Sequence, residues 1–307
     1  MASCWRFRPL VNLTYSKYMC QRRMQKNIFC QQSQVIIRRL KATYSTESEN
    51  LDENRQTDDS YEDKGRQLHY DDLYPGHIPT SLFQKAVLAV GSAAMCIINP
   101  ARDDMICALG ETTGPIALRY MRQKMLADPV GRQILEEEPL ITTETISVPY
   151  LKSLPDNTFG KAYWRFLDKN GFSPDARRPV NFVDDRDLMY VMLRYRQLHD
   201  LMHTLLGMPP NMLGEIVVKW FEAIQTGLPM CAVGALVGPV RLGPKHRQKY
   251  LSIYLPWVLR SANSSKFLMS VYFEKHFEKD LDEFRKELNL EPAPVPLIKT
   301  GAGTVTK

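Results

Sequence analysis

The run His199-Asp200-Leu201-Met202-His203 sits near the end of the longest regular helical pattern in the chain, Asp184 to Leu206. Gly207-Met208-Pro209-Pro210-Asn211 follows. A regular helix does not run through such a segment, because proline lacks the backbone donor and glycine readily ends a helix. A second helical pattern, Met212 to Thr226, begins at once, with Asn211 placed to cap it and Gly227 to stop it. The chain is therefore committed to two neighbouring helices joined at a sharp corner. At 100° per residue, Leu188, Met192, Tyr195, His199, Met202, His203 and Leu206 form one stripe, which sets both imidazoles into the face that packs inward.

Two histidines four apart on one helical face can grip a single metal ion. The corner can return Glu215, in the first turn of the second helix, towards them. Asp200 lies about 100° round from His199, nearer to His203, and can act as a ligand or as an acceptor that orients an imidazole. The expected metal set is His199, Asp200, His203 and Glu215, with mixed nitrogen and oxygen donors that suit a divalent cation such as zinc. Each residue also has a plainer reading. Asp200 can pair with Arg196, Glu215 can complement the positive end of its helix, and a buried histidine is often just a hydrogen-bonded core residue. Glu222, two turns beyond Glu215, is a substitute ligand. The spacing differs from that of a zincin, and ferrous iron also suits two histidines and one carboxylate. No Gly-rich phosphate loop, GxSxG elbow or nucleotide fingerprint is present.

The remaining chain reads as helical almost throughout. Helices are expected at Ser81 to Ile98, Asp103 to Gly110, Pro115 to Leu126, Val130 to Glu137, Thr158 to Lys169, Pro244 to Ala262 and Phe267 to Leu288. The Gly- and Ala-rich stretch from Leu228 to Gly243 is expected as a tightly packed helix. Ser81 to Ile98 is short and interrupted for a span, so it is expected in the core or against a membrane surface. The fold class is all-α, a single multi-helix domain over 74–290. Residues 45–73 read as a disordered acidic linker and 291–307 as a disordered tail.

From Met1 to Thr46 there is no Asp or Glu, while nine Arg and Lys make the segment strongly basic. This is the pattern of a mitochondrial transit peptide, expected over 1–44. The whole chain carries 40 basic and 34 acidic residues, net +6. Without the nine, 31 basic face 34 acidic residues, net −3, so the basic balance belongs to the leader and gives no reason to expect nucleic acid. Cys96, Cys107 and Cys231 are far apart without CxxC spacing, as expected of free thiols in a reducing compartment.

The stretch HDLMHTLLGMPPNMLGEIVVKWFE, His199 to Glu222, resembles the ubiquinone-biosynthesis family that contains the fourth of the numbered mitochondrial Coq proteins. The hallmark is HDxxH, eleven residues, then Glu. The resemblance extends from about Tyr74 to Leu290, including YPGHIPTSLFQKAVLAVGSA and RDDMICALGETTG. It implies an all-α fold, a zinc ion at His199, Asp200, His203 and Glu215, and a place on the matrix face of the mitochondrial inner membrane, bound peripherally within a complex of other coenzyme Q biosynthesis enzymes. It also implies loss of the carboxylate at ring carbon 1 of a polyprenylated 4-hydroxy-3-methoxybenzoate, with hydroxylation of that carbon coupled or following. Asp200 or Glu215 would then move a proton.

An apolar groove for the prenyl tail is expected from Leu82, Val87, Val90, Met95, Ile98 and the stretch Ala232 to Val240. Arg241, Lys245, His246, Arg247 and Lys249 form a basic cluster suited to anionic lipid headgroups or to the benzoate carboxylate. The competing reading is a non-catalytic scaffold that binds prenyl lipid and organises the pathway's enzymes; an iron oxygenase using the same histidines is a third.

Overall fold

In the computed structural model, which describes residues 73–99 and 102–294, the architecture is helical and all-α. The expected leader and most of the acidic linker lie outside the described residues, as does the tail beyond 294. Helix α1 is Leu82–Ile98, α2 Asp103–Thr113, α3 Pro115–Ala127, α4 Pro129–Glu137, α5 Val148–Ser153 and α6 Phe159–Asn170. Then come α7 (Arg186–Leu206), α8 (Met212–Thr226), α9 (Pro229–Val237), α10 (Pro244–Lys249), α11 (Leu255–Ser264) and α12 (Leu281–Glu287).

Helix α7 is the central rod. Its N-terminus is capped by the Asp185 carboxylate, which accepts from the Leu188 amide at 2.9 Å. It ends at Gly207, whose φ of +67° is the left-handed conformation that closes a helix. Between these ends it is buried on nearly every side: Val191, Leu198, Leu201 and Met202 have no exposed surface. Each such aliphatic side chain contributes about 1.5–3 kcal/mol on removal from water. A helix surrounded in this way must also satisfy the charges it carries. Arg194 does so by pairing with Glu274 and donating to the Val271 carbonyl at 3.2 Å. Arg196 pairs with Glu111 and donates to the Pro179 carbonyl at 2.9 Å.

Helices α3, α6 and α8 pack on α7. Helix α8 is sandwiched further between α9 and α11, and α9 rests on α2, which carries α1 on its other side. Helix α6 holds an aromatic cluster in which Phe159 lies 5.1 Å from Phe284 and 5.7 Å from Phe277, ring centre to ring centre.

Three expected helices differ from the structure, and one helix was not expected. Residues 267–288 do not form one long helix: two short 3-10 turns, Leu268–Ser270 and Phe273–Lys275, precede α12. Backbone partners elsewhere break the helix, because Phe159 donates to the Lys279 carbonyl, Gly160 to that of Phe277, and Leu281 to that of Asn157. Asp280 then caps α12. Helix α5, opened by a Ser147 cap, has no counterpart in the sequence reading. The Leu228 to Gly243 stretch is helical only to Val237, and Gly238–Arg241 tightens into a 3-10 turn. The expected Pro244 to Ala262 helix runs through a π-helical turn, Tyr250–Tyr254.

Candidate metal centre

The α7–α8 corner is held by its own backbone. The Met208 amide donates to the His203 carbonyl at 2.9 Å, and the Asn211 side chain accepts from the Gly214 amide at 3.0 Å. Helix α8 therefore starts close against the end of α7, with Glu215 opposite the two histidines.

His199, His203 and Glu215 each offer one ligand atom, and these atoms lie within 4.8 Å of one another. The Glu215 carboxylate lies between the rings: Oε2 is 3.5 Å from His199 Nε2 and Oε1 is 3.3 Å from His203 Nε2. Each ring is oriented by its other nitrogen. His203 Nδ1 lies 3.0 Å from the Met208 carbonyl oxygen, which can only accept, so Nδ1 carries the hydrogen and Nε2 is left with a lone pair. His199 Nδ1 lies 2.6 Å from Glu222 Oε1. With both rings neutral, the two Nε2 atoms and Glu215 present acceptors to one another, a conflict that a proton on His199 relieves in the metal-free chain.

That arrangement calls for a cation. His203 Nε2 is buried and has no hydrogen-bond partner, and a buried polar atom in that state carries a free-energy penalty. The donor set of two imidazoles and one carboxylate fits a divalent transition metal and leaves further positions open. Behind the rings, Phe166 stacks on His203 with ring centres 5.5 Å apart, which fixes the plane of that imidazole.

Glu222 is fully buried and anchors a second layer. Besides His199, it takes hydrogen bonds from Lys219 Nζ at 2.6 Å and from the Tyr195 hydroxyl at 2.8 Å. The Cys231 thiol lies 3.0 Å from that hydroxyl. Burial would lift the Glu222 carboxyl, but Lys219 and His199 outweigh it and hold it far below the usual range. Burial and Lys219 would lower His199, yet Glu222 and Glu215 together raise it to about 9. Glu215 follows the same logic: burial opposes its charge, the facing imidazoles prevail, and its pKa falls well below the ordinary value. Desolvation pushes the Cys231 thiol up to about 12, so it stands as a neutral thiol.

Asp200 is not brought to this cluster. Its buried carboxylate pairs with Arg177, and Arg196, its alternative partner from the sequence, pairs with Glu111 instead. Glu222, considered as a substitute ligand, stands behind His199 as its hydrogen-bond acceptor. The sequence reading did not single out Arg177 or Lys219, and it took Tyr195 only as a member of the inward-facing stripe. For Lys219 a signal existed, since it sits one turn before Glu222 on the same helix.

A cavity of about 200 Å³ opens beside His199, lined by that residue and by Glu215, Tyr195, Lys219, Arg177 and Arg178 among others. Ile106 and Cys107 of α2 and Met230 of α9 supply further wall. The basic cluster Arg241 to Lys249 is not among its lining residues. Leu82, Val87, Val90 and Ile98 do not line it either; they stand exposed on the outside of α1.

The family described as coenzyme Q (ubiquinone) biosynthesis protein Coq4 matches residues 74–294. Over 222 residues the chain is 52% identical to the mitochondrial ubiquinone biosynthesis protein COQ4 homolog of Xenopus laevis, covering 72% of this chain and 78% of that one. The Homo sapiens homolog of the same name is 51% identical over 223 residues, covering 73% and 84%. The crystal structure of a Nostoc punctiforme protein assigned to ubiquinone biosynthesis aligns with a TM-score of 0.54 over 66% of this chain and 97% of that one. At 18% identity that likeness establishes the shared fold. By the span of the family match and the identity of these relatives, the chain belongs to the coenzyme Q (ubiquinone) biosynthesis protein Coq4 family.

Proposed function

We propose that the chain is a zinc-dependent carboxy-lyase of mitochondrial ubiquinone biosynthesis, removing the carboxylate at ring carbon 1 of a polyprenylated 4-hydroxy-3-methoxybenzoate. The observation that carries this reading is the convergence of the His199 and His203 Nε2 atoms with the Glu215 carboxylate, His203 Nε2 being buried without a hydrogen-bond partner while His199 and Glu215 line a cavity. His199, His203 and Glu215 would hold the ion. When bound, it would supply a Lewis acid that polarises a ligated oxygen and lowers that oxygen's proton affinity.

The chain's own residues suit the substrate. Arg177, Arg178 and Lys219 line the cavity, each paired with a carboxylate (Asp200, Asp103 and Glu222), so an anionic benzoate would have to share these cations. The cavity is below the roughly 300–1,000 Å³ of drug-sized sites, so it accommodates a ring while the prenyl tail extends outwards. Decarboxylation of a 4-hydroxybenzoate needs a proton at the ring carbon, after which the dienone takes up the electrons released with carbon dioxide. Glu215, held ionised, is better fitted to ligate than to donate that proton. Hydroxylation of the same carbon, coupled or following, would draw on dioxygen and an external two-electron reductant, one oxygen atom entering the ring and the other leaving as water.

A set of three converging protein ligands favours this reading over a scaffold with a purely structural ion, since structural zinc sites are closed by four. The reading extends to peripheral binding at the matrix face of the inner membrane beside other coenzyme Q enzymes; no helix among the described residues is long and apolar enough to cross a membrane. Elemental analysis of the purified chain, paired with carbon dioxide release from a prenylated 4-hydroxybenzoate, tests the core of it. Zinc in stoichiometric amount with turnover is the expected result. Iron with oxygen uptake in proportion to product would overturn the zinc assignment, and metal without turnover would favour the scaffold.

A further inference from the structure

Helix α1 turns its more apolar side outwards. At 100° per residue, Phe83, Val87, Val90, Ala94, Ile97 and Ile98 fall within a sector roughly 100° wide, and all of them are exposed, Val90 and Ile98 each by 73%. The other side of the helix holds the buried Ser92 and Lys85, whose ammonium pairs with Asp184. Val240, also 73% exposed, continues the apolar patch past the end of α1, because the Arg241 guanidinium donates to the Ile97 carbonyl. The Arg247 guanidinium donates in turn to the Val240 carbonyl at 2.9 Å. Arg241, Lys245, Arg247 and Lys249 are all exposed, so cations stand at the border of the patch.

Carboxylates are missing from both contributing segments. Residues 73–102 contain no Asp or Glu, and neither do residues 223–273. The acids that follow the first of these, Asp103 and Asp104, are engaged by Arg178 and Arg102. An apolar strip with a cationic edge complements alkyl chains beneath anionic headgroups. A second copy meeting this face across a two-fold axis would set a cationic, acid-free border against itself.

We infer that the outward face of α1, together with the strip from Val240 to Lys249, docks on an anionic lipid bilayer with the helix lying along the headgroup plane. At 1.5 Å per residue α1 is about 26 Å long, and none of it needs to cross the membrane. The placement also serves the cavity. Helix α2, on which α1 lies, and α9, which leads into the basic strip, supply Ile106, Cys107 and Met230 to the cavity wall. A substrate dissolved in the bilayer by its tail meets the chain on the side where those walls begin. This surface rests on the membrane-contact part of the proposed function and not on its metal chemistry.

Co-sedimentation of the full chain with vesicles of phosphatidylcholine, with and without phosphatidylserine, tests it, and the leader contributes equally to every variant compared. Val87→Asp/Val90→Asp should reduce binding to anionic vesicles at least tenfold. Lys245→Glu/Arg247→Glu/Lys249→Glu should reduce it on the order of a hundredfold, and added salt should weaken the parent chain in the same way. The charge variant should leave binding to pure phosphatidylcholine unchanged. If the parent binds and both variants bind equally well, the face is wrong while peripheral attachment stands. If the parent binds neither kind of vesicle, both fail. If Val87→Asp/Val90→Asp converts a dimer to a monomer on sedimentation and leaves vesicle binding intact, the occupant is a second copy and the inference is overturned.

Discussion

At the α7–α8 corner a carboxylate, Glu222, has no exposed surface at all, whereas on α1 Leu82 is 88% exposed and Phe83 78%. The two regions depart from the usual partition of polar and apolar groups in opposite senses. In the first, charge is buried and Glu222 is tied to His199, Lys219 and Tyr195, so that the His199 ring is fixed in place. In the second, apolar surface is presented to the outside with little to hold it. Buried charge persists where it is paired, and exposed apolar area persists where something covers it. The contrast separates a centre built for precise atomic placement from a surface built for a fluid partner.

The largest effect should come from the corner. His203→Ala removes the nitrogen that no protein group satisfies, and bound metal, measured by elemental analysis, should fall to background along with carbon dioxide release. Retained stoichiometric metal in that variant would break the assignment of the site. Glu222→Gln keeps the shape but weakens the acceptor for His199 and leaves Lys219 without its anion. Metal affinity in a chelator competition should drop by about ten- to a hundredfold, with Glu222→Asp intermediate. An unchanged affinity would mean that Glu222 serves packing alone.

Acidity gives a third, smaller test. In the metal-free chain His199 is raised from 6.5 to about 9, so its contribution to stability is complete below pH 6.5 and is lost as pH rises through 9. Glu215 and Glu222 are depressed from 4.5, so theirs is present above pH 4.5 and is lost as pH falls through their lowered values. Tm of the chelated protein should therefore be highest between about pH 4.5 and 6.5 and decline towards pH 9. Metal-loaded protein should gain affinity over the same rise, because the ion must displace the His199 proton. A chelated Tm that climbs from pH 6.5 to 9 would contradict the His199–Glu222 pairing. The smallest effect belongs to the outer surface: Val90→Asp should shift unfolding by no more than about 0.5 kcal/mol, as expected of an exposed site. A loss of several times that would show that Val90 packs within the fold.

Helices α7 and α8 were legible in the chain, caps included, because Asn211, Gly207 and Gly227 act locally and the periodicity is strong. The approach of His199, His203 and Glu215 followed from spacing and one corner. The turning of Asp200 to Arg177 could not be read, since Arg177 arrives from a loop whose path only tertiary packing decides. The same holds for residues 267–288, where helical periodicity was overridden by backbone hydrogen bonds to the start of α6. For α1, the sequence marked an apolar helix but carried no information on which of its sides faces out.

A single hydrogen atom decides how near the second helix can come to the first. A methyl group placed on Gly214 would stand 2.0 Å from the Pro209 carbonyl oxygen, a separation that no backbone tolerates. Any larger residue there must push the start of α8 outward and carry the adjoining Glu215 away from the imidazoles. The reach of that carboxylate is set one position earlier in the chain, by a residue that touches no ion. Gly214→Ala is accordingly expected to empty the centre while every ligand remains in place in the sequence.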